Sequence, residues 1–166
     1  MKVEKFLCSL EVVVIAAILL GALAIQYFKH ETPCPMCFLQ RLSMIGVGTS
    51  ILLNVRFKPQ KRHYGLALFF AILGGTIALR QIALHACPNF PTFGIPFWGL
   101  SLYTWSFLVF TCTVGYTAML FILFDRTDAR HAPTGWLGHI AFILLFLTAA
   151  LNIFASLDVC GFGACG

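Results

Sequence analysis

The residues best equipped for chemistry are cysteines, seven of them in a chain of 166 residues. Their spacing sorts them: Cys34 and Cys37 close the run Thr32-Pro33-Cys34-Pro35-Met36-Cys37, Cys160 and Cys165 bracket Gly161-Phe162-Gly163-Ala164, and Cys8, Cys87 and Cys112 stand alone. Two sulfurs at Cys-x-x-Cys spacing form a reversible dithiol switch, one thiolate attacking while the other resolves. Pro35 suits a first helical turn, where its missing N–H has no intrahelical partner to lose, so Cys34 falls at a helix N-terminus. The unpaired N–H groups and positive dipole end there favour a thiolate. On a helix Cys37 lies about 60° around from Cys34, and Arg41 returns to within about 20° of it, so one face carries both sulfurs and a cation.

Those residues need elements to hold them, and composition decides of what kind. Apolar residues make up 60% of the chain and charged residues 10%, with a mean hydropathy of +0.90, against roughly 25% charge in soluble domains. A soluble domain is excluded. Five apolar stretches, 12–28, 38–55, 64–84, 101–124 and 136–157, read as membrane-spanning helices. They make residues 1–166 a single all-α, polytopic transmembrane domain. The first stretch reads as an uncleaved anchor rather than a secretory signal, although Ala22-Leu23-Ala24 mimics a cleavage site.

Lys2 and Lys5, the four basic residues of segment 56–63, and Arg126 and Arg130 together hold eight of the eleven Lys and Arg residues. The positive-inside rule then puts the N-terminus in the cytosol and, after five spans, the C-terminus outside. The net charge of +5 thus encodes orientation, with no nucleic-acid partner expected. The outer segments are 29–37, 85–100 and 158–166, which gather Cys34, Cys37, Cys87, Cys160 and Cys165 on one surface. Trp98 and Tyr103 on the outer side, with Trp136 and Tyr64 on the inner, fit interfacial aromatic belts. Cys8, at the cytosolic end, and Cys112, inside the fourth span, read as small inert hydrophobes.

Arg41 enters the hydrocarbon, where a central arginine costs about 2.5 to 3.5 kcal/mol and one near the interface less. It is expected to stabilise negative charge, on a Cys37 thiolate or on the reduced form of a lipid-soluble electron acceptor, the alternative being a side chain that snorkels to headgroups. Arg80 has the same ambiguity without adjacent sulfurs. His85 ends the third span, where an imidazole can hydrogen-bond a carbonyl or move its protons. The apolar, Pro-rich run from Cys87 to Trp98 is expected on or in the bilayer surface, covering a site, meeting a partner or simply anchoring. The glycines of the tail allow Cys160 and Cys165 to approach within the ~4.4 to 6.8 Å Cα separation of a disulfide. A pairing of Cys87 with Cys160 or Cys165 is the competing arrangement. A purely structural tail bridge, or a tail without a role, remains the plainer reading.

The run Cys34-Pro35-Met36-Cys37-Phe38-Leu39-Gln40-Arg41 resembles the Cys-x-x-Cys-x-x-Gln-Arg pattern of the DsbB family, membrane oxidoreductases that reoxidise periplasmic disulfide donors. Chain length, the order of spans one to four and, more loosely, Arg80 and His85 extend the resemblance. It implies a four-helix bundle, here with a fifth C-terminal transmembrane helix, holding a quinone against Cys37 with Arg41 beside it and Cys34 exposed to exchange. It also implies ubiquinone or menaquinone as cofactor, no metal, and a periplasmic thioredoxin-fold, DsbA-like dithiol oxidase as partner in a bacterial inner membrane. In the family a second cysteine pair in the second outer loop relays electrons. Segment 85–100 has only Cys87, so the tail pair Cys160 and Cys165 is the candidate replacement. Two other functions stay open: an outer Cys₄ zinc site from Cys34, Cys37, Cys160 and Cys165, and a membrane scaffold whose disulfides are staples.

Overall fold

The computed structural model describes residues 2–29, 35–57, 59–85, 99–124 and 135–160, with side chains for all of these except 2, 29 and 158–160. The described residues form five helices: α1 (Lys2–Lys29), α2 (Pro35–Arg56), α3 (Lys61–His85), α4 (Leu102–Leu123) and α5 (Trp136–Cys160). Each is long and apolar enough to cross a membrane, so the chain is the all-α, polytopic protein expected.

The helices pack as an antiparallel series from α2 through α3 to α4, with α1 against α2, and α5 against α1 and α2. Gln40 of α2 meets Gln81 of α3 at one end. At the other end Asn54 Oδ1 accepts both the Gln60 N–H at 3.0 Å and the His63 Nδ1–H at 2.8 Å, tying down the α2–α3 turn. Glycines permit close approach where bulky rings cross. A Cβ on Gly74 would collide with the Phe110 ring, and one on Gly46 would lie 2.7 Å from the Phe70 ring. The core runs through Val12, Leu19, Val47, Ile51, Phe110 and Leu120, all buried.

Helix α1 begins ten residues before the apolar stretch that predicts it. Glu4, Cys8 and Glu11, at i, i+4 and i+7, share one face and are buried against neighbouring helices. The Tyr64 hydroxyl donates to Glu4 Oε1 at 3.1 Å and lies 3.3 Å from Cys8 Sγ. The Thr117 hydroxyl donates to Glu11 Oε1 at 2.7 Å, and the Tyr116 hydroxyl to the Leu7 carbonyl at 3.2 Å. Two expectations change here. Tyr64 is a buried fastener rather than an interfacial belt residue, and Cys8 sits in a polar cluster rather than purely apolar surroundings. Cys112 is exposed on the outside of the bundle.

Helix α5 buries a single stripe, Gly138, Ala141, Leu145, Thr148, Asn152 and Ala155, at alternating spacings of three and four. Leu145 fills the space over Gly48 of α2, where a Cβ would come within 2.9 Å of its Cδ1. The remaining surface of α5 is apolar and exposed, with Phe142, Ile143, Phe146, Leu147, Ile153 and Phe154 outward, as lipid contact requires.

Candidate functional site

Helix α2 starts at Pro35, which puts Cys37 in its first turn; Cys34 lies just ahead, outside the described residues. Cys37 is half-buried. Gln81 Nε2 donates to its sulfur at 3.7 Å, and Gln81 Oε1 accepts from Gln40 Nε2 at 2.8 Å. Both glutamines are buried, at 2% and 4% exposure. The pair acts as a ratchet on orientation: once Gln81 Oε1 is committed to Gln40, its N–H₂ must face the sulfur.

Arg41, one turn further along α2, turns toward α1. Its Nη1 donates to Gln26 Oε1 at 2.6 Å and its Nη2 to the Ala22 carbonyl at 3.3 Å. A guanidinium spanning two acceptors on a neighbouring helix is oriented by its fork, not left to snorkel. Gln26, 9% exposed, places a third buried amide at the Cys37 end of the bundle.

His85, the last residue of α3, donates its Nδ1–H to the Gln81 carbonyl at 2.8 Å. A carbonyl can only accept, so Nδ1 carries a hydrogen, and in the neutral ring Nε2 is then the acceptor nitrogen. The ring stacks on Tyr103 of α4, with centroids 5.0 Å apart and planes 25° off parallel. Beside it Ser101 and Thr104 join their hydroxyls at 2.7 Å. Arg80 is exposed, while its neighbour Gln81 is the α3 residue that donates to Cys37.

Cys37, Arg41 and His85 therefore lie toward one end of the helices, with Arg80 exposed toward the same end of α3. Cys34, Cys87 and Cys165 lie outside the described residues, as does the Cys160 side chain, so neither arrangement of the second cysteine pair is described. Reasoning on cysteines and cations gave Gln26, Gln40, Gln81 and Tyr103 no role of their own in the site. The signal that finds three of them is a glutamine inside an otherwise apolar stretch near the same end of three successive helices, since a buried amide in hydrocarbon must be answered by another polar group. Among the described residues no group of three His, Cys, Asp or Glu could hold a metal ion.

Fold and site together define a multi-pass membrane protein that presents a thiol among buried amides at one end of its bundle. A family model described as disulfide bond formation protein DsbB matches residues 4–93, more than half of the chain, and the chain belongs to the DsbB family. The disulfide bond formation protein B of Chromobacterium violaceum is 38% identical over 71 residues, covering 40% of this chain and 43% of that protein. The disulfide bond formation protein B 1 of Burkholderia lata is 35% identical over 77 residues, 45% of each chain. That of Marinobacter nauticus is 33% identical over 89 residues, 51% of this chain and 53% of its own. The chain spans about half the length, or less, of these curated relatives. No solved structure matches it. The family match ends ahead of α4 and α5.

Proposed function

We propose that the protein is a membrane protein-dithiol:quinone oxidoreductase. It reoxidises a periplasmic DsbA-like dithiol oxidase of thioredoxin fold and passes the electrons to ubiquinone or menaquinone, supporting disulfide bond formation. The observation that carries this is the Cys-x-x-Cys-x-x-Gln-Arg run at the start of α2, with Gln40 and Gln81 leading to the Cys37 sulfur and Arg41 held across to α1. Family membership favours it over a zinc site or a scaffold.

The donor chemistry at this end fits a quinone. Its carbonyl oxygens accept hydrogen bonds, which the Arg41 guanidinium and Gln81 amide can donate, and the stacked His85 and Tyr103 rings give a flat aromatic neighbour. A bound quinone supplies a two-electron, two-proton sink. The chain's own residues do the rest. Cys34, ahead of the helix, is the sulfur open to exchange: the thiolate of an incoming dithiol, that of the relay pair reduced by the partner, attacks the Cys34–Cys37 disulfide at Cys34, Cys37 leaves, and the second thiol of the incoming dithiol releases Cys34. The relay pair returns to its disulfide, the partner ends oxidised and the Cys34–Cys37 pair ends reduced. Gln81 orients the Cys37 sulfur, Arg41 stabilises negative charge next to it, and His85 handles protons through Nε2.

The reading includes a single transmembrane domain over residues 1–166, with the N-terminus cytoplasmic and the C-terminus periplasmic in a bacterial inner membrane. It also includes a relay through Cys160 and Cys165, with Cys87 as the alternative partner for either. In support, an antiparallel α5 registered by Leu145 on Gly48 brings the last residue of α5 to within about one turn of the start of α2 along the bundle axis.

The test is reconstitution. Purified protein, a reduced thioredoxin-fold dithiol donor and a short-chain ubiquinone are mixed, and quinone absorbance is followed. Turnover that disappears in Cys34→Ser and in Cys37→Ser is expected; an intact, oxidised protein that leaves the quinone untouched overturns the reading.

A further inference from the structure

Helix α5 lies beyond the segment that the family model matches, yet one residue of its buried stripe has business unfinished. Asn152 is 2% exposed. Its Nδ2 donates to the Thr148 carbonyl at 2.8 Å, and its Oδ1 is buried with no hydrogen-bond partner. The neighbouring polar residues of the stripe are answered within their own helix, Thr148 on the Leu144 carbonyl and Ser156 on the Asn152 carbonyl. A buried acceptor left open is uncommon and calls for a donor.

The register of α5 on α2 says where that donor comes from. Trp136 opens α5 nine residues before Leu145, and Arg56 closes α2 eight residues after Gly48. With Leu145 over Gly48, these two ends come level when the helices run antiparallel. Seven residues return each helix to within about 20° of the same face, about 10.5 Å along. One such step from Gly48 leads to Arg41, and the matching step from Leu145 leads to Asn152. The register therefore sets Asn152 level with Arg41 along the bundle axis, on the buried stripe of a helix that packs against both α1 and α2, while the Arg41 guanidinium reaches Gln26 and Ala22 of α1.

A cationic donor facing a neutral acceptor selects a particular ligand group. A quinone carbonyl can accept from Arg41 but has nothing to give Asn152. A hydroquinone hydroxyl does both, its oxygen accepting from Arg41 while its hydrogen is donated to Asn152 Oδ1. We propose that Asn152 is a binding residue for the reduced electron acceptor, so that the fifth helix, through its carboxamide oxygen, makes the site prefer the two-electron, two-proton product over the substrate. This rests on the quinone reading above and adds to it a residue outside the family match. It concerns binding alone: the electrons and both protons of the hydroquinone come from the dithiol, as that reading already requires.

The experiment uses the full chain carrying Cys37→Ser, which binds without reacting. Dissociation constants for a short-chain ubiquinone and for its hydroquinone are read from quenching of tryptophan fluorescence, with and without Asn152→Leu or Asn152→Ala. The expected result is a loss of hydroquinone affinity of about three- to tenfold with quinone affinity little changed, the worth of one hydrogen bond. An unchanged ratio of the two constants in both variants overturns the proposal. If the Cys37→Ser protein binds neither form, the quinone reading fails instead. Should the Asn152 variants not fold, Arg41→Cys combined with Asn152→Cys, in a chain otherwise cleared of cysteine, tests the juxtaposition. A short bifunctional thiol reagent joins them if the register is right, and failure to join them overturns it.

Discussion

Gln81 decides what Cys37 experiences, because its carboxamide is the link between a buried amide on α2 and the sulfur. Gln81→Leu removes the acceptor from Gln40, which stays buried, and leaving such a group unanswered costs about 1 to 3 kcal/mol. A lowered unfolding temperature in detergent and an altered rate of Cys37 alkylation are expected together; a change in stability alone would reduce Gln81 to packing. Arg41→Lys keeps the charge but loses the fork that spans Gln26 Oε1 and the Ala22 carbonyl. The expected outcome in the reconstituted reaction is an increase of about tenfold in the KM for quinone, with a smaller effect on the KM for the dithiol donor. The cysteine and arginine were legible in the sequence because charge and thiol spacing are unusual in hydrocarbon. The glutamines were equally visible as letters, but nothing in a single sequence says which amide meets which.

At the scale of helices, the apolar stretches were legible from length alone, since about 20 residues are needed to cross hydrocarbon. The front of α1 was not. Glu4 and Glu11 look like solvated charges until Tyr64 and Thr117 arrive from helices 60 and 106 positions away. Thr117→Val takes away the hydroxyl that Glu11 Oε1 accepts, and Glu11 Oε2 is already buried without a partner. A destabilisation of about 1 to 3 kcal/mol is expected, measured by thermal unfolding in detergent. Gly74→Ala drives a methyl group into the Phe110 ring. Overpacking of this kind costs typically 1 to 3 kcal/mol, and a variant that combines it with Phe110→Leu should regain much of the loss, which separates a clash from a general effect of the substitution on α3.

Across the whole molecule, the sequence reading assembled the right number of helices but understated the fifth. It entered as a carrier for two terminal cysteines, whereas it packs against α1 and α2 and buries Asn152 in its stripe. Hydropathy could not reveal this, because α5 is apolar on every side and the lipid-facing and protein-facing residues differ only in size and in one or two polar atoms. Orientation is a property of the same scale. With single cysteines introduced into an otherwise cysteine-free chain, residues of segment 125–134 should react with a membrane-impermeant thiol reagent only after the cells are opened, and residues of segment 86–98 in intact spheroplasts. The reverse pattern would put the Cys37 end in the cytosol and remove the oxidising compartment that the proposed chemistry needs.

The stack of His85 on Tyr103 has a consequence for the connection between them. The two rings hold the departure and arrival points of that connection side by side, so its contents can be lengthened or exchanged without prising α3 from α4. An epitope inserted between Pro91 and Gly94 should therefore leave the unfolding temperature nearly unchanged in the parent chain and lower it once Tyr103→Ala has removed the clasp.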